Sequence, residues 1–279
     1  MTSIKSDNAP AELTELLEYT QSKINGELEA RLGQKEGAND ASRRLREAMH
    51  YAATSPGKRI RPAIVFAACD ALGGPRTNAL PAALAVEVMH SYTLVHDDLP
   101  CMDDDDERRG KPSTHKKYDE ATALLAGDAL LTFAFELLSE FPNNAALAVS
   151  ALSKAAGSKG ILAGQALDLA ISPSPTFEQL ETIHRAKTGE LFAVSAELGS
   201  LAAGANGKQR KEFNDFGMLI GVAFQYADDL DDGEFPHLSE KSSSRRSELS
   251  SKAIAWAQSL GDKGKLLVSI AKWLSLIHI

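Results

Sequence analysis

Cysteine is almost absent. Only Cys69 and Cys101 occur among the 279 residues, with no metal-ligand or redox spacing, so a disulfide framework is excluded and a reducing cytoplasm is the expected compartment. Basic blocks are missing too. With 30 Lys and Arg against 38 Asp and Glu, and a net charge of −8, no face is built to neutralise a phosphate backbone, which argues against nucleic acid as a partner. No segment reaches the ~18 uncharged apolar residues of a membrane span, so stable membrane insertion is not expected. Met1 to Asn8 carries no apolar core of the secretory type. Alternating β-branched runs, a G-x-G-x-x-G loop and a P-loop are all lacking.

What is present is helical periodicity. At 43% hydrophobic residues the chain can bury one large core, and it reads as a single domain, residues 1–279. Leu13, Leu16, Leu17, Ile24, Leu28 and Leu32 recur at helical spacing between Pro10 and Leu32. Helices are expected again over Ala41 to Ala53 and, after Ser55-Pro56-Gly57, over Ala63 to Leu72. Asn78 to Asp98 is apolar nearly all round and should be buried; at ~1.5 Å per residue it delivers its two terminal aspartates to one end of the fold. Further helices are predicted over Asp119 to Glu140, Asn144 to Ala170, Thr176 to Ala203, Lys208 to Asp232 and Ser250 to Trp273. Thr176 and Gln179 fit a capping box. The pattern predicts an all-α bundle with a site among facing helices.

The chemistry lies in the charges. Seven acids fill eleven positions from Asp97 to Glu107, too many unpaired carboxylates for an apolar core, so they face water or a cation. Gln225, Asp228, Asp229 and Asp232 stand at i, i+3, i+4 and i+7 and would project within one arc of a helix. By the same rule His90, Thr93, Leu94 and Asp97 share a face, Asp98 is turned away, and Asp103 must reach back from the loop after Pro100. All-oxygen clusters of this kind suit Mg²⁺, which binds through one or two carboxylates plus substrate phosphates. Lys58, Arg59, Arg61, Arg108 and Arg109 are the donors that a diphosphate requires. Each feature has a plainer reading: a solvated acidic face, a core histidine at His90, surface charge at Lys58 to Arg61, an unremarkable Lys187-Thr188, a polar patch at Gln165 and Asp168. Their occurrence together favours a substrate with a charged head and a greasy body.

These residues form recognisable motifs: Gly57-Lys58-Arg59-Ile60-Arg61-Pro62, His96-Asp97-Asp98-Leu99-Pro100-Cys101-Met102-Asp103 with Arg108-Arg109-Gly110, Gly164-Gln165-Ala166-Leu167-Asp168-Leu169, Lys187-Thr188-Gly189, and Phe224-Gln225-x-x-Asp228-Asp229-x-x-Asp232. From about residue 10 to 232 the chain resembles the short-chain trans-polyprenyl diphosphate synthases, most of all the bacterial farnesyl diphosphate synthases. The resemblance implies an all-α isoprenoid synthase fold of antiparallel helices around a central apolar cavity, a homodimer, and three Mg²⁺. It implies that Asp97, Asp103 and Asp228 bind the metal and that Arg108 holds the allylic diphosphate. Lys58, Arg61, His90 and Arg109 would hold isopentenyl diphosphate, with Lys187, Thr188 and Gln225 on the allylic side as catalytic dipoles. Tyr92, five residues before Asp97, resembles the aromatic floor that limits the product to C15.

The implied reaction joins isopentenyl diphosphate to dimethylallyl or geranyl diphosphate. Geranyl or geranylgeranyl diphosphate synthesis, a catalytically impaired partner subunit, and a metal-dependent phosphohydrolase are the alternatives. After the second aspartate motif the family's Gly-Lys loop and Lys-x-Thr-Tyr-Pro segment are missing. Residues 233–249 read instead as an atypical Ser- and Arg-rich loop, and Leu274 to Ile279 read as a non-native scar.

Overall fold

The structure is a computed structural model that describes residues 9–33, 40–142 and 144–275. Helix α1 (Ala11–Leu32) buries the leucine and isoleucine stripe read from the sequence. It is followed by α2 (Asp40–Ala53), α3 (Ile60–Ala71) and α4 (Arg76–Asp97). A two-residue hairpin, β1 (Glu107–Arg108) paired antiparallel with β2 (Lys111–Pro112), leads through α5 (Thr114–Lys117) to α6 (Glu120–Ser139). Then come α7 (Ala145–Ala156), α8 (Ile161–Leu169), α9 (Phe177–Ile183), a π-helical turn at His184–Gly189, α10 (Glu190–Ala202) and α11 (Gly207–Asp232). The chain closes with α12 (Ser239–Ser259) and α13 (Lys265–Leu274).

The helices α3, α4, α10 and α11 form the centre, with α6 against α4, α12 against α11, and α1 and α13 against α3. Side chains on α3 from Pro62 to Cys69 are buried without a break, which requires partners on every side. The close approach of α10 and α11 depends on Gly217: a Cβ there would stand 2.4 Å from the Phe192 carbonyl oxygen. The predicted capping box is present, with Thr176 and Gln179 exchanging hydrogen bonds. Asn206 and Gln209 build a second one at the start of α11.

Several expectations need amending. The stretch 144–170 is two helices, because the chain turns through Gly157 to Gly160 and a Cβ at Gly160 would meet the Ala155 carbonyl at 1.9 Å. The stretch 176–203 is interrupted by the π-turn. Residues 239–249, read as part of an atypical loop, are helical: α12 starts at Ser239 and buries Ser242, Leu249 and Ser250. Arg245 on α12 anchors it by pairing with Glu181 at 2.6 Å, a tertiary contact that Ser-rich local composition does not reveal. One helix, α6, is long and apolar enough to cross a membrane by length and composition; Asp128 and Glu136 interrupt it. Of the expected scar, Leu274 is buried at the end of α13, and residues 276–279 lie outside the described residues.

Arg59, grouped with the diphosphate ligands from its place in the sequence, is structural. Its guanidinium is almost wholly buried and donates to Glu87 at 2.6 Å, to Asn25 and to the carbonyls of Ala53 and Ser55. It holds the entry to α3 against α4 with each of its three guanidinium nitrogens committed to a local partner. Breaking such a pair leaves an uncompensated buried charge. Glu87→Ala is therefore expected to lower the unfolding free energy by about 3–5 kcal/mol, measured by urea denaturation.

Candidate active site

A cavity of about 1200 Å³ lies between α3, α4, α8, α10 and α11, with Arg108 and Arg109 of the hairpin at its edge. Lys58, Arg61, His90, Tyr92, Asp97, Arg108, Arg109, Lys187, Thr188, Gln225 and Asp228 all line it. Asp103 does not; it is exposed at the rim, tied to α4 by its backbone N–H, which donates to the Asp97 carbonyl at 2.9 Å. The two aspartate clusters, remote in sequence, thus meet at one space.

One wall is cationic. Arg61 is half-buried, with its guanidinium 4.8 Å from the centre of the Phe192 ring, and its buried Nε has no partner. Burial lowers its pKa to about 10, which still leaves it charged at neutral pH. Arg109 donates to the Pro56 carbonyl at 2.9 Å and lies 3.4 Å from His90 Nε2. Burial and the surrounding guanidiniums of Arg61, Arg109, Arg59 and Arg108 push the His90 pKa well below its ordinary value. The imidazole is consequently neutral and offers an anion a hydrogen bond rather than a charge. Lys58, its pKa lowered by burial, lies with its ammonium 5.6 Å from the centre of the Trp273 ring on α13.

The facing wall is anionic. Burial, together with Asp103 and Asp98, raises the Asp97 pKa to about 6, against the opposing pull of Lys187 and Arg108. Asp228 is raised by burial and by its neighbours Asp232, Asp229 and Asp231. Carboxylates crowded in this way favour a bound cation. Among the described residues, the three such ligand atoms that lie within 4.8 Å of one another belong to Asp104, Asp106 and His115, outside the cavity lining. Asp97, Asp103 and Asp228 are more widely set. That spacing fits Mg²⁺, which keeps waters and completes its shell with substrate phosphate rather than with a protein cage.

Asp98, expected to turn away from the site, does not line the cavity; it is buried and accepts from Arg108 at 2.5 and 2.8 Å, and Arg108 also donates to Asp105 at 2.6 Å. Other side chains differ from the sequence reading. Asp168, weighed as a polar patch, pairs with Lys187 at 2.5 Å. Asp232, predicted to share the inward arc of α11, is exposed. Asp229 is buried and turns to His184, 2.8 Å away, because packing of α11 against the π-turn presents that flank to protein instead of to the cavity. The π-turn itself is pressed against α8: a Cβ on Gly164 would lie 2.2 Å from the Lys187 backbone nitrogen. The partners Arg108–Asp98, Lys187–Asp168 and His184–Asp229 join different elements, so spacing along one helix does not reveal them.

Residues 42–235 match the polyprenyl synthetase family. Over 198 residues the chain is 44% identical to a farnesyl diphosphate synthase of Geobacillus stearothermophilus, covering 68% of this chain and 67% of that protein. It is also 44% identical over 198 residues to the large subunit 1 of a heterodimeric geranylgeranyl pyrophosphate synthase of Arabidopsis thaliana, covering 67% of this chain but only 53% of the plant protein. The fold superposes on the crystal structure of an FPP/GFPP synthase from Zymomonas mobilis with a TM-score of 0.86 and 39% identity, covering 94% of this chain and 98% of that one.

Gly164→Ala is expected to force α8 from the π-turn and cost about 1–3 kcal/mol, the usual range for overpacking. Urea denaturation of the purified variant measures it.

Proposed function

The chain belongs to the polyprenyl synthetase family and is a prenyl-transferring enzyme, and from that premise we propose that it condenses isopentenyl diphosphate with dimethylallyl and geranyl diphosphate to give farnesyl diphosphate. The observation that carries this reading is the pair of opposed charged walls in one largely apolar cavity. Its volume, about 1200 Å³, exceeds the ~300–1,000 Å³ of ordinary small-molecule sites, which suits two reactants side by side.

Arg61, Lys58 and Arg109 bind the isopentenyl diphosphate, with the neutral His90 donating one hydrogen bond. Arg108, pre-set by Asp98, meets the diphosphate of the allylic substrate. Asp97, Asp103 and Asp228 would hold Mg²⁺, three ions by family resemblance, and the metal would supply positive charge against the diphosphate. Lys187, Thr188 and Gln225 lie alongside the allylic carbons, and Asp168 offsets the lysine charge that would otherwise oppose a carbocation. The allylic C–O bond breaks with its electron pair going to the diphosphate, the isopentenyl double bond attacks the carbocation to form the new C–C bond, and the proton lost from the resulting cation passes to the released diphosphate. Fixed donors in a site sheltered from water need little rearrangement as charge develops.

Tyr92 is the floor of the chain-length pocket. It is buried on α4, lines the cavity, and packs edge-on against His96 with ring centres 5.6 Å apart. The protein works in the cytoplasm, without membrane insertion, as a homodimer. Leu124 and Leu125 on α6, both exposed in the single chain, support a second copy covering α6.

Incubating the purified protein with isopentenyl and geranyl diphosphates should give a C15 product only when Mg²⁺ is present, scored by chain-length chromatography. Release of phosphate without chain growth would mark a phosphohydrolase, and no turnover would mark a non-catalytic partner. Tyr92→Ala should shift the product to C20 or beyond; an unchanged C15 product would remove Tyr92 as the floor, and C20 from the unaltered protein would make it a geranylgeranyl diphosphate synthase.

A further inference from the structure

Tyr92 lines the cavity without a polar anchor. The residue is buried on α4, and among the described residues its hydroxyl makes no hydrogen bond, so packing alone limits how far the ring can swing. One of the groups packed on it is His96. At i+4 from Tyr92, one turn further along α4, the imidazole meets the tyrosine ring edge-on with centres 5.6 Å apart, and both residues line the cavity.

His96 is seated on a different helix. Its Nε2 lies 3.0 Å from the Leu124 carbonyl oxygen of α6, and because a carbonyl only accepts, that nitrogen carries a proton and donates it. Gly127, one turn on along α6, leaves the room for the ring. A Cβ there would stand 2.0 Å from Nε2 and 2.2 Å from Cδ2 of the imidazole, closer than any side chain can lie, so glycine is required as long as His96 keeps this place. The imidazole is thus held at its far end by a hydrogen bond and by the shape of α6. The tyrosine that it touches is held by packing only.

We propose that His96 is a positioning residue for product length: fixed to α6 through Leu124 and Gly127, it keeps the Tyr92 ring across the path of the growing hydrocarbon. The inference rests on the prenyl-transfer reading with Tyr92 as the floor, and it adds what holds that floor in place. Without the imidazole, space opens beside Gly127 and next to the tyrosine ring. The ring can turn into that space, and the hydrocarbon then passes it. Selectivity for length accordingly belongs to a junction of two helices, in which α4 carries both rings and α6 supplies the seat.

The test reads the ratio of the product one isoprene unit longer to the normal product, with isopentenyl and geranyl diphosphates as substrates and separation by chain length. Ratios are compared at equal turnover, because His96 adjoins Asp97 and a change of rate alone says nothing about length. His96→Ala is expected to raise the ratio about tenfold, the weight of one aromatic contact. In His96→Gln the amide N–H still reaches the Leu124 carbonyl and refills part of the imidazole space, so most of the selectivity should return. Adding His96→Ala to Tyr92→Ala should lengthen the product no further, since the histidine acts only through the tyrosine. An unchanged ratio in His96→Ala while Tyr92→Ala lengthens the product would overturn the proposal and leave the floor standing. Extra lengthening in the double variant would make His96 a separate wall and overturn it too, as would a glutamine variant as permissive as alanine. Should His96→Ala not fold, His96→Ser takes its place. A product unaltered by Tyr92→Ala would instead remove the floor, and a wild-type protein that joins no substrates would sink the prenyl-transfer reading itself.

Discussion

Opposite charges are kept apart here, inside an apolar bundle, and most of the local architecture follows from that constraint. Had Arg61 or Arg109 reached Asp97 or Asp228, the charges would have neutralised one another and left nothing to bind a ligand. The helices prevent it. The cationic wall is carried on the start of α3 and on the hairpin, the anionic wall on the ends of α4 and α11, and the cavity lies between. The cost shows as an Asp97 pKa lifted to about 6 and a buried Arg61 Nε without a partner. A metal diphosphate relieves both at once, since it brings cations to the carboxylates and anionic oxygens to the guanidiniums.

Around this unpaired centre lies a shell of paired charge. Arg59 with Glu87, Arg108 with Asp98, and Lys187 with Asp168 are each held at 2.5 to 2.6 Å. Their roles differ by burial. The Arg59 pair is sealed in and closes the junction of α1, α3 and α4. The Arg108 and Lys187 pairs are partly open to the cavity and orient a cation without consuming it, because the carboxylate engages only some of the five guanidinium or three ammonium donors. Positioned cations of this kind need no reorganisation when a diphosphate departs.

The anionic and cationic walls also require backbones to approach closely. Gly217 lets α11 lie on α10 near Phe192, and Gly164 lets α8 lie on the turn that carries Lys187 and Thr188. A π-helical turn at that point widens the ladder by one residue, and it brings His184 to Asp229 as well as Lys187 to Asp168. The same short segment therefore meets both α8 and α11.

Much of this was legible along the chain. Helical class and most element positions follow from apolar residues at spacings of three and four, as in Leu13 to Leu32, and the two acidic clusters announce themselves because no core could absorb them. What local pattern could not reveal was pairing between helices. Arg59 and Arg61 look alike two residues apart, yet one spends its charge on the buried Glu87 and the other keeps a guanidinium nitrogen without a partner beside the cavity. Asp228 and Asp229 are neighbours, yet only the first lines the site. The Ser- and Arg-rich stretch after Leu238 lacks an apolar stripe, and its helix is held in part by Arg245 reaching Glu181 across 64 residues. Residue type and spacing determine which groups exist and which helix bears them; the packing of one helix on another decides which of those groups spend their charge on each other and which keep it for a ligand, because that depends on distances the linear chain does not contain.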